Sequence, residues 1–422
     1  MPTASMPAKS NPVIVIGGGP AGMAAALYAL RAGARVLLIE KNEKLGKKLY
    51  ITGKGRCNVS NAAAGEEFLQ NVPRNPRFLY SALHFLDSEG LRALLDDLGC
   101  PTVVERGQRV FPVSQKASDV TKALTQGLAG AEIRLNTSVQ SIELSEVGCA
   151  GVVLEDGRRI EAGAVIVATG GLSYAVTGST GDGYRFAVQS GHRLTAQMPS
   201  LVPIDTDDLW ARPLQGLTLK NVRLDATLGK KRLFSEQGEL LFTRFGISGP
   251  LVLSLSSALT GLDVQRVLAT IDLKPAVPGQ ELDKRLADEL GKNGRRQLKS
   301  LLPGYLPGKL AEAFPEVCPV DFQKTCSQVT AAERAQVIAT MKALPLRLTA
   351  LRSFKEAVIT RGGVDLRDVD PGTMASRLCR GLYFAGEVLD VDALTGGFNL
   401  QIAFSTGALA GHSAADYVSR SV

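Results

Sequence analysis

The chain reads as an α/β protein in which one parallel-sheet domain is split in sequence around an insert of different character. Three observations point there. Val13–Ile16 is a short, wholly apolar, β-branched run ending in glycines, the pattern of a strand covered on both faces. Runs of similar style recur at residues 35–40, 164–168 and 381–386. Between the last two, the pattern turns first to alternating apolar and polar positions and then to helical periodicity. The split domain is placed at residues 11–200 and 345–422, and the insert at 201–344.

Each element has its own warrant. Residues 20–32 are rich in alanine and follow the first strand as a helix that Gly33 stops. Residues 35–40 are the second strand, which completes a βαβ unit. A loop rich in Lys and Gly occupies 41–61. Residues 78–98 carry the helical period, 132–154 read as strands, and 157–161 as a hairpin turn with its exit. Residues 164–168 form a buried strand that ends in Thr169-Gly170-Gly171. In the insert, alternation at 222–228 and 267–273 predicts antiparallel strands. Residues 278–344 are helical, broken by Pro303, Pro307, Pro315 and Pro319. After Pro345 the first style returns: a strand over 381–386, a glycine loop, and a helix from Phe398 to Val418.

A chain of 422 residues is long enough for two or three domains. Its 45% hydrophobic and 21% charged residues are those of a soluble globular protein. The net charge of +7 suits a phosphate-bearing or RNA partner, or simply a solvated basic surface. Six scattered cysteines without a CxxC imply no metal site and no disulfide framework, and suit reduced thiols in a cytoplasm. Residues 1–11 have no apolar signal core, and no run approaches the roughly 18 apolar residues of a membrane span. A cytoplasmic protein with no membrane partner is expected. With only His84, His192 and His412 present, chemistry built on histidine is not expected.

The first chemical motif is Gly17-Gly18-Gly19-Pro20-Ala21-Gly22, which satisfies GxGxxG between a strand and a helix. Gly17 makes the tight turn, Gly19 lets backbone approach a pyrophosphate, and Gly22 lets helix pack on strand. The pyrophosphate then sits on the positive end of the helix. Glu40 ends the next strand, where a carboxylate bonds a ribose hydroxyl. The fingerprint alone does not separate FAD from NAD. Two further glycine-rich stretches do. Thr169-Gly170 closes one strand, and Gly386-Glu387 closes another and leads to Gly396-Gly397-Phe398-Asn399-Leu400. A long bipartite cofactor needs such distant contacts, and no second GxGxxG marks a separate NAD(P)H domain. FAD is the expected cofactor, with NAD(P)H as a transient donor. Gly396-Gly397 opens the last helix, whose N–H groups suit the flavin edge that gains negative charge on reduction. Lys41, Lys48, Arg56, Asn58 and Val139 complete the candidate cofactor contacts.

Five ordered stretches together are specific. Besides the Gly17 loop they are KKLYITGKGRCNVSN from Lys47, ATGGLSYAVTGSTGDGY from Ala168, GELLFTRFGISGP from Gly238, and GLYFAGEVLDVDALTGGFNLQIAFSTG from Gly381. Over residues 12–411 the chain resembles the BaiN/RdsA family of NAD(P)/FAD-dependent oxidoreductases, also called YhiN-like flavoproteins. The resemblance implies an FAD-binding Rossmann-type domain, an inserted antiparallel β-barrel-like domain and a small helical subdomain. It also implies one of two activities. One is reduction of uridine to 5,6-dihydrouridine in 23S rRNA. The other is reduction of a C=C bond in bile-acid intermediates. Both add hydride to a double bond conjugated with a carbonyl. Lys54 and Ala393 stand where many relatives carry glycine, which leaves substrate choice open.

Such a reaction also needs a proton donor. Cys57 in the GRCN segment is the first candidate, set against a role as a small packing residue, with Tyr174 and Tyr184 as alternatives. Arg56 suits a substrate or cofactor phosphate. In the insert, Arg212, Lys220, Arg223, Lys230, Lys231 and Arg232 face one acid, Asp225, and Lys292, Arg295, Arg296 and Lys299 follow. These clusters suit 23S rRNA or a ribosomal precursor. Three readings stand side by side: an FAD-dependent rRNA dihydrouridine synthase, an ene-reductase or dehydrogenase of steroid-like enones, and a non-catalytic RNA-binding factor stabilised by FAD.

Overall fold

The computed structural model describes residues 11–420. The signal-free leader expected over residues 1–11 lies almost wholly outside the described residues. The backbone divides into two compact units, residues 1–199 with 358–422, and residues 200–357.

The first unit is built on a five-stranded parallel sheet. Its order is Leu382–Phe384, Ala164–Val167, Val13–Ile16, Val36–Ile39, Glu132–Arg134. The three central strands are buried at every residue, which is why they read as continuous apolar runs rather than alternating ones. Helix Pro20–Arg31 follows the first strand, and helix Phe398–Arg420 packs along it. The two approach closely because small residues face each other. A Cβ on Gly407 would lie 2.2 Å from Ala21 O, and one on Gly411 2.0 Å from Ala25 O. Two three-stranded sheets complete this unit: Ser60–Asn61 with Arg109–Pro112 and Thr102–Glu105, and Val139–Ser145 with Gly148–Leu154 and Arg159–Glu161. The helical stretch expected at 78–98 is two helices, Tyr80–Phe85 and Ser88–Asp97. Asp87 separates them, because its carboxylate accepts from Gly90 N and caps the second.

The second unit is a closed barrel of six strands with its own apolar core. The order is Ile204–Thr206, Gly246–Ser248, Lys231–Phe242, Thr218–Leu228, Leu268–Asp272, Leu344–Leu351. Helices Gly279–Lys292, Gly308–Ala313 and Ala331–Lys342 are its helical part. Two expectations are corrected here. Residues 250–259, inside the region expected to be strands, form the helix Pro250–Leu259, with Pro at its first position after Gly249. The expected boundary at 344/345 falls at the start of a barrel strand, Leu344–Leu351, and the unit runs on to Ala357. Pro345 looked like a breaker. It sits opposite Thr270 on one side and outside the register with Ile204–Thr206 on the other, so its missing N–H breaks no ladder.

Candidate functional site

The Gly17 loop leaves the first strand at Gly17, whose φ of 103° is open to glycine and whose N–H bonds Ile39 O at 2.8 Å. Gly22 permits the helix to lie on the loop: a Cβ there would stand 1.8 Å from Gly17 O. At Gly19, by contrast, a Cβ would meet nothing within 4 Å, so this side of the turn is open. Gly19 caps the helix with no side-chain bond, and Pro20 follows it. The N–H groups of Ala21 and Gly22 in this first turn have no acceptor within the helix. Glu40 is buried and oriented by the loop itself. Gly18 N donates to its Oε2 at 2.6 Å, while Asn42 N and Nδ2 donate to its Oε1 at 2.8 and 2.6 Å. Thr137 N donates to Glu40 O at 3.1 Å, which brings the stretch leading to Val139 alongside.

Thr169 and Gly170 stand beside this loop. A Cβ on Gly17 would lie 3.1 Å from Thr169 Cα, and one on Gly170 would lie 4.0 Å from Lys48 Nζ. Lys48 forms a half-buried ion pair with Glu387 at 2.9 Å and bonds Ser173 Oγ at 3.2 Å. The other Glu387 oxygen accepts from Ser173 Oγ at 2.8 Å and Thr360 N at 2.9 Å. Thr360 Oγ1 in turn accepts from Leu172 N at 2.7 Å and Ser173 N at 3.2 Å. Four chain segments are thus pinned at one junction. Gly386 completes it, with its N–H on Thr406 Oγ1 at 3.0 Å and its Cα side against Ala21.

A second cluster lies at the start of the Phe398–Arg420 helix. Gly396 and Gly397 both have positive φ, 129° and 103°, and a Cβ on Gly397 would meet Ser60 O at 2.1 Å. Gln401 N donates to Gly397 O at 3.1 Å and closes the first turn. This leaves the N–H groups of Phe398, Asn399 and Leu400 without acceptors in the helix. Phe398 is buried edge-on against Phe68. Asn58 Oδ1 lies 3.0 Å from the Cβ position of Gly397, and it is buried with no hydrogen-bond partner among the described residues. A buried acceptor left unmet costs about 1–3 kcal/mol, so this atom suits a donor on a bound molecule. Behind it, Ser60 Oγ donates to Gln401 Oε1 at 2.6 Å, and Gln401 Nε2 donates to Leu86 O at 3.0 Å and Ser405 Oγ at 2.9 Å.

Several candidates are placed differently from expectation. Arg56 is not free for a phosphate: it bonds Glu105 and Gln115 and lies over the Phe111 ring at 4.0 Å. Lys41 turns to Asp182, at 2.6 Å. Asn399 folds back on its own loop, accepting from Ala393 N at 2.8 Å and donating to Ala393 O at 2.7 Å. Thr169 Oγ1 also lacks a partner, but it lies against Gly183 rather than the open side of the loop. Cys57 is wholly enclosed, 0% exposed, in a left-handed turn with φ 60°, and burial pushes its thiol up to about 12. Its enclosure and its raised pKa fit a small packing residue better than a proton donor. Tyr184 is buried with an unpartnered hydroxyl, and burial raises its pKa. Sequence reasoning missed Ser173, Thr360, Asn61 and Gln401. Ser173 lay in a motif already singled out. Thr360 carried no local signal, because its partners are distant in sequence. Asn61 Nδ2 holds Gly396 O at 3.0 Å.

The residues fit FAD: a helix start open at Gly19, an oriented carboxylate at Glu40, and a second helix start beside an unmet acceptor at Asn58. Comparison with known proteins agrees. The HI0933-like protein Rossmann domain family matches residues 11–413. The chain is 32% identical to the 3-dehydro-bile acid delta(4,6)-reductase of Clostridium scindens over 96% of its own length and 99% of that protein. It is 30% identical to the ribosomal RNA dihydrouridine synthase of Escherichia coli over 93% and 95% of the two chains. In fold it resembles the FrdA chain of E. coli quinol fumarate reductase, with TM-score 0.53 at 17% identity, covering 98% of this chain and 71% of that one. The split Rossmann domain, its two helix-start sites and these matches make the chain a member of the HI0933-like family of FAD-dependent oxidoreductases.

Proposed function

We propose that this protein reduces uridine to 5,6-dihydrouridine in 23S rRNA, or in a ribosomal precursor, in the cytoplasm. When bound, FAD would supply hydride transfer from NAD(P)H to the β-carbon of a carbonyl-conjugated double bond, C6 in uracil, and the neighbouring carbon, C5, would take a proton. The protein's own part is binding and orientation. Glu40 and the Gly17 helix start hold the adenosine and pyrophosphate half. Asn58 Oδ1 would accept from a donor on the flavin, and the N–H groups after Gly397 would face its polar edge and favour the reduced, more negative form. Lys48, Glu387, Ser173 and Thr360 fix the strand ends between these two halves. Cys57 takes no part in proton transfer.

The observation that favours RNA is the exposure of the basic residues in the second unit. Arg212, Lys220, Lys230, Lys231 and Arg232 are exposed, as are Lys292, Arg295, Arg296 and Lys299. Arg223 is the exception, since Asp225 and Asp272 neutralise it at 3.0 and 3.1 Å. Lys230, Lys231 and Arg232 stand at the turn between strands Thr218–Leu228 and Lys231–Phe242, where exposed cations suit phosphates. The Clostridium scindens relative's name supports a second reading, reduction of a steroid-like enone. Mass spectrometry of 23S rRNA from cells with and without the gene separates the two. Loss of a dihydrouridine in the deletion strain is the expected result. Unchanged dihydrouridine, with NAD(P)H oxidation stimulated by a small enone, would establish the second reading instead.

A further inference from the structure

The stretch from Gly238 to Pro250 is one of the five ordered motifs, and it lies wholly within the second unit. Within the second unit it forms the end of strand Lys231–Phe242, a tight turn, and strand Gly246–Ser248. The turn is tied on every side. Thr243 N donates to Gly246 O at 2.8 Å, Phe245 N to Thr243 Oγ1 at 3.4 Å, and Thr206 N to Phe245 O at 3.1 Å. Gly246 presses on the next strand, where a Cβ would stand 2.3 Å from Ile204 O. This rigid turn presents the Phe245 ring outward, 53% exposed. Arg352 lies over the ring, its Cζ 4.5 Å from the centroid, and is itself held by Glu356 at 2.7 Å and Asp205 at 3.4 Å. Arg244, next in sequence, is exposed.

One exposed apolar side chain is ordinary on any surface. A fixed aromatic ring backed by an anchored guanidinium, with a second guanidinium beside it, is a more specific arrangement. We propose that Phe245, backed by Arg352 and flanked by Arg244, is a stacking platform for a nucleobase of single-stranded RNA. This rests on the RNA reading above and names the surface that serves it. Every base has a flat π-face that an aromatic ring accepts whatever the sequence, and arginine adds cation–π and phosphate contacts. A steroid-like enone has neither an aromatic face nor an anionic backbone. Bringing one uridine out of the stack also strips its neighbours of a stacking partner, and a ring fixed in advance offsets part of that cost.

The test is binding of the FAD-loaded, full-length protein to a fluorescent single-stranded oligoribonucleotide at fixed moderate salt. Phe245→Ala is expected to weaken binding roughly 10-fold. Phe245→Trp should restore it, and Phe245→Leu, with apolar bulk but no π-face, should not. Flavin absorbance and melting temperature confirm that each variant is folded. Wild-type affinity in Phe245→Leu would overturn the platform and leave the RNA reading standing. A wild-type protein that binds no RNA would overturn both. A change of oligomeric state in Phe245→Ala at unchanged RNA affinity would make the ring a contact between copies of the chain, and the proposal would fall.

Discussion

Asn58 carries a buried acceptor that the described residues leave unmet. A residue that serves the ligand rather than the fold has a distinctive signature. Asn58→Ala should weaken FAD binding about 10-fold, the worth of one buried hydrogen bond, while the apo protein melts no lower than the wild type. Flavin fluorescence quenching and apo-protein melting read the two sides. Cys57 makes the opposite case. Cys57→Ala should bind FAD and turn over at close to the wild-type rate, because the thiol is enclosed and burial holds it protonated. A loss of turnover above about 100-fold with FAD retained would return Cys57 to the role of proton donor. At this scale the sequence was readable where chemistry is local. The spacing of Gly17, Gly19 and Gly22 is a statement about one turn. It was not readable where partners are distant: only the structure puts Glu105 and Gln115 on the Arg56 guanidinium.

Among elements, the contact between helices Pro20–Arg31 and Phe398–Arg420 leaves no room for one methyl group. Gly411→Ala would place a Cβ 2.0 Å from Ala25 O, against backbone that cannot turn aside. Overpacking of this kind costs about 1–3 kcal/mol, so the melting temperature should drop by several degrees and FAD should be retained less well on gel filtration. A second sensitivity lies at the last sheet strand. His192 bonds Ser376 Oγ at 2.7 Å and packs edge-on to Phe384 at 4.8 Å, and burial lowers its pKa from 6.5. The unfolded chain therefore takes up this proton more readily than the folded one. Stability from the neutral ring is present above about pH 6.5 and is lost as pH falls toward the folded value. Replacing His192 with Gln should flatten the decline in melting temperature between pH 7 and 5. The short parallel strands were legible because burial on both faces leaves an unbroken apolar run. The helix Pro250–Leu259 was not, because a short apolar run fits a buried strand equally well.

For the molecule as a whole, the exposed cations predict a salt-dependent affinity for RNA. Binding of an rRNA fragment should fall steeply from low to moderate salt. Reversing Lys230, Lys231 and Arg232 to glutamate should reduce both the affinity and the slope of log K against log salt. A slope unchanged by the triple reversal would remove this hairpin from the interface. Net charge hinted at such a surface, but only the structure separates Arg223, neutralised by two aspartates, from its exposed neighbours.

The junction of Lys48, Ser173, Thr360 and Glu387 also bears on how the protein is made. Its members leave the ribosome far apart in time, Glu387 emerges just after the strand Leu382–Phe384, and the helix Phe398–Arg420 follows them all. A nascent chain holding only the Gly17 loop has half of a cradle. Flavin capture should then be a late event in biosynthesis, and chains ended before Phe398 should be recovered without flavin absorbance.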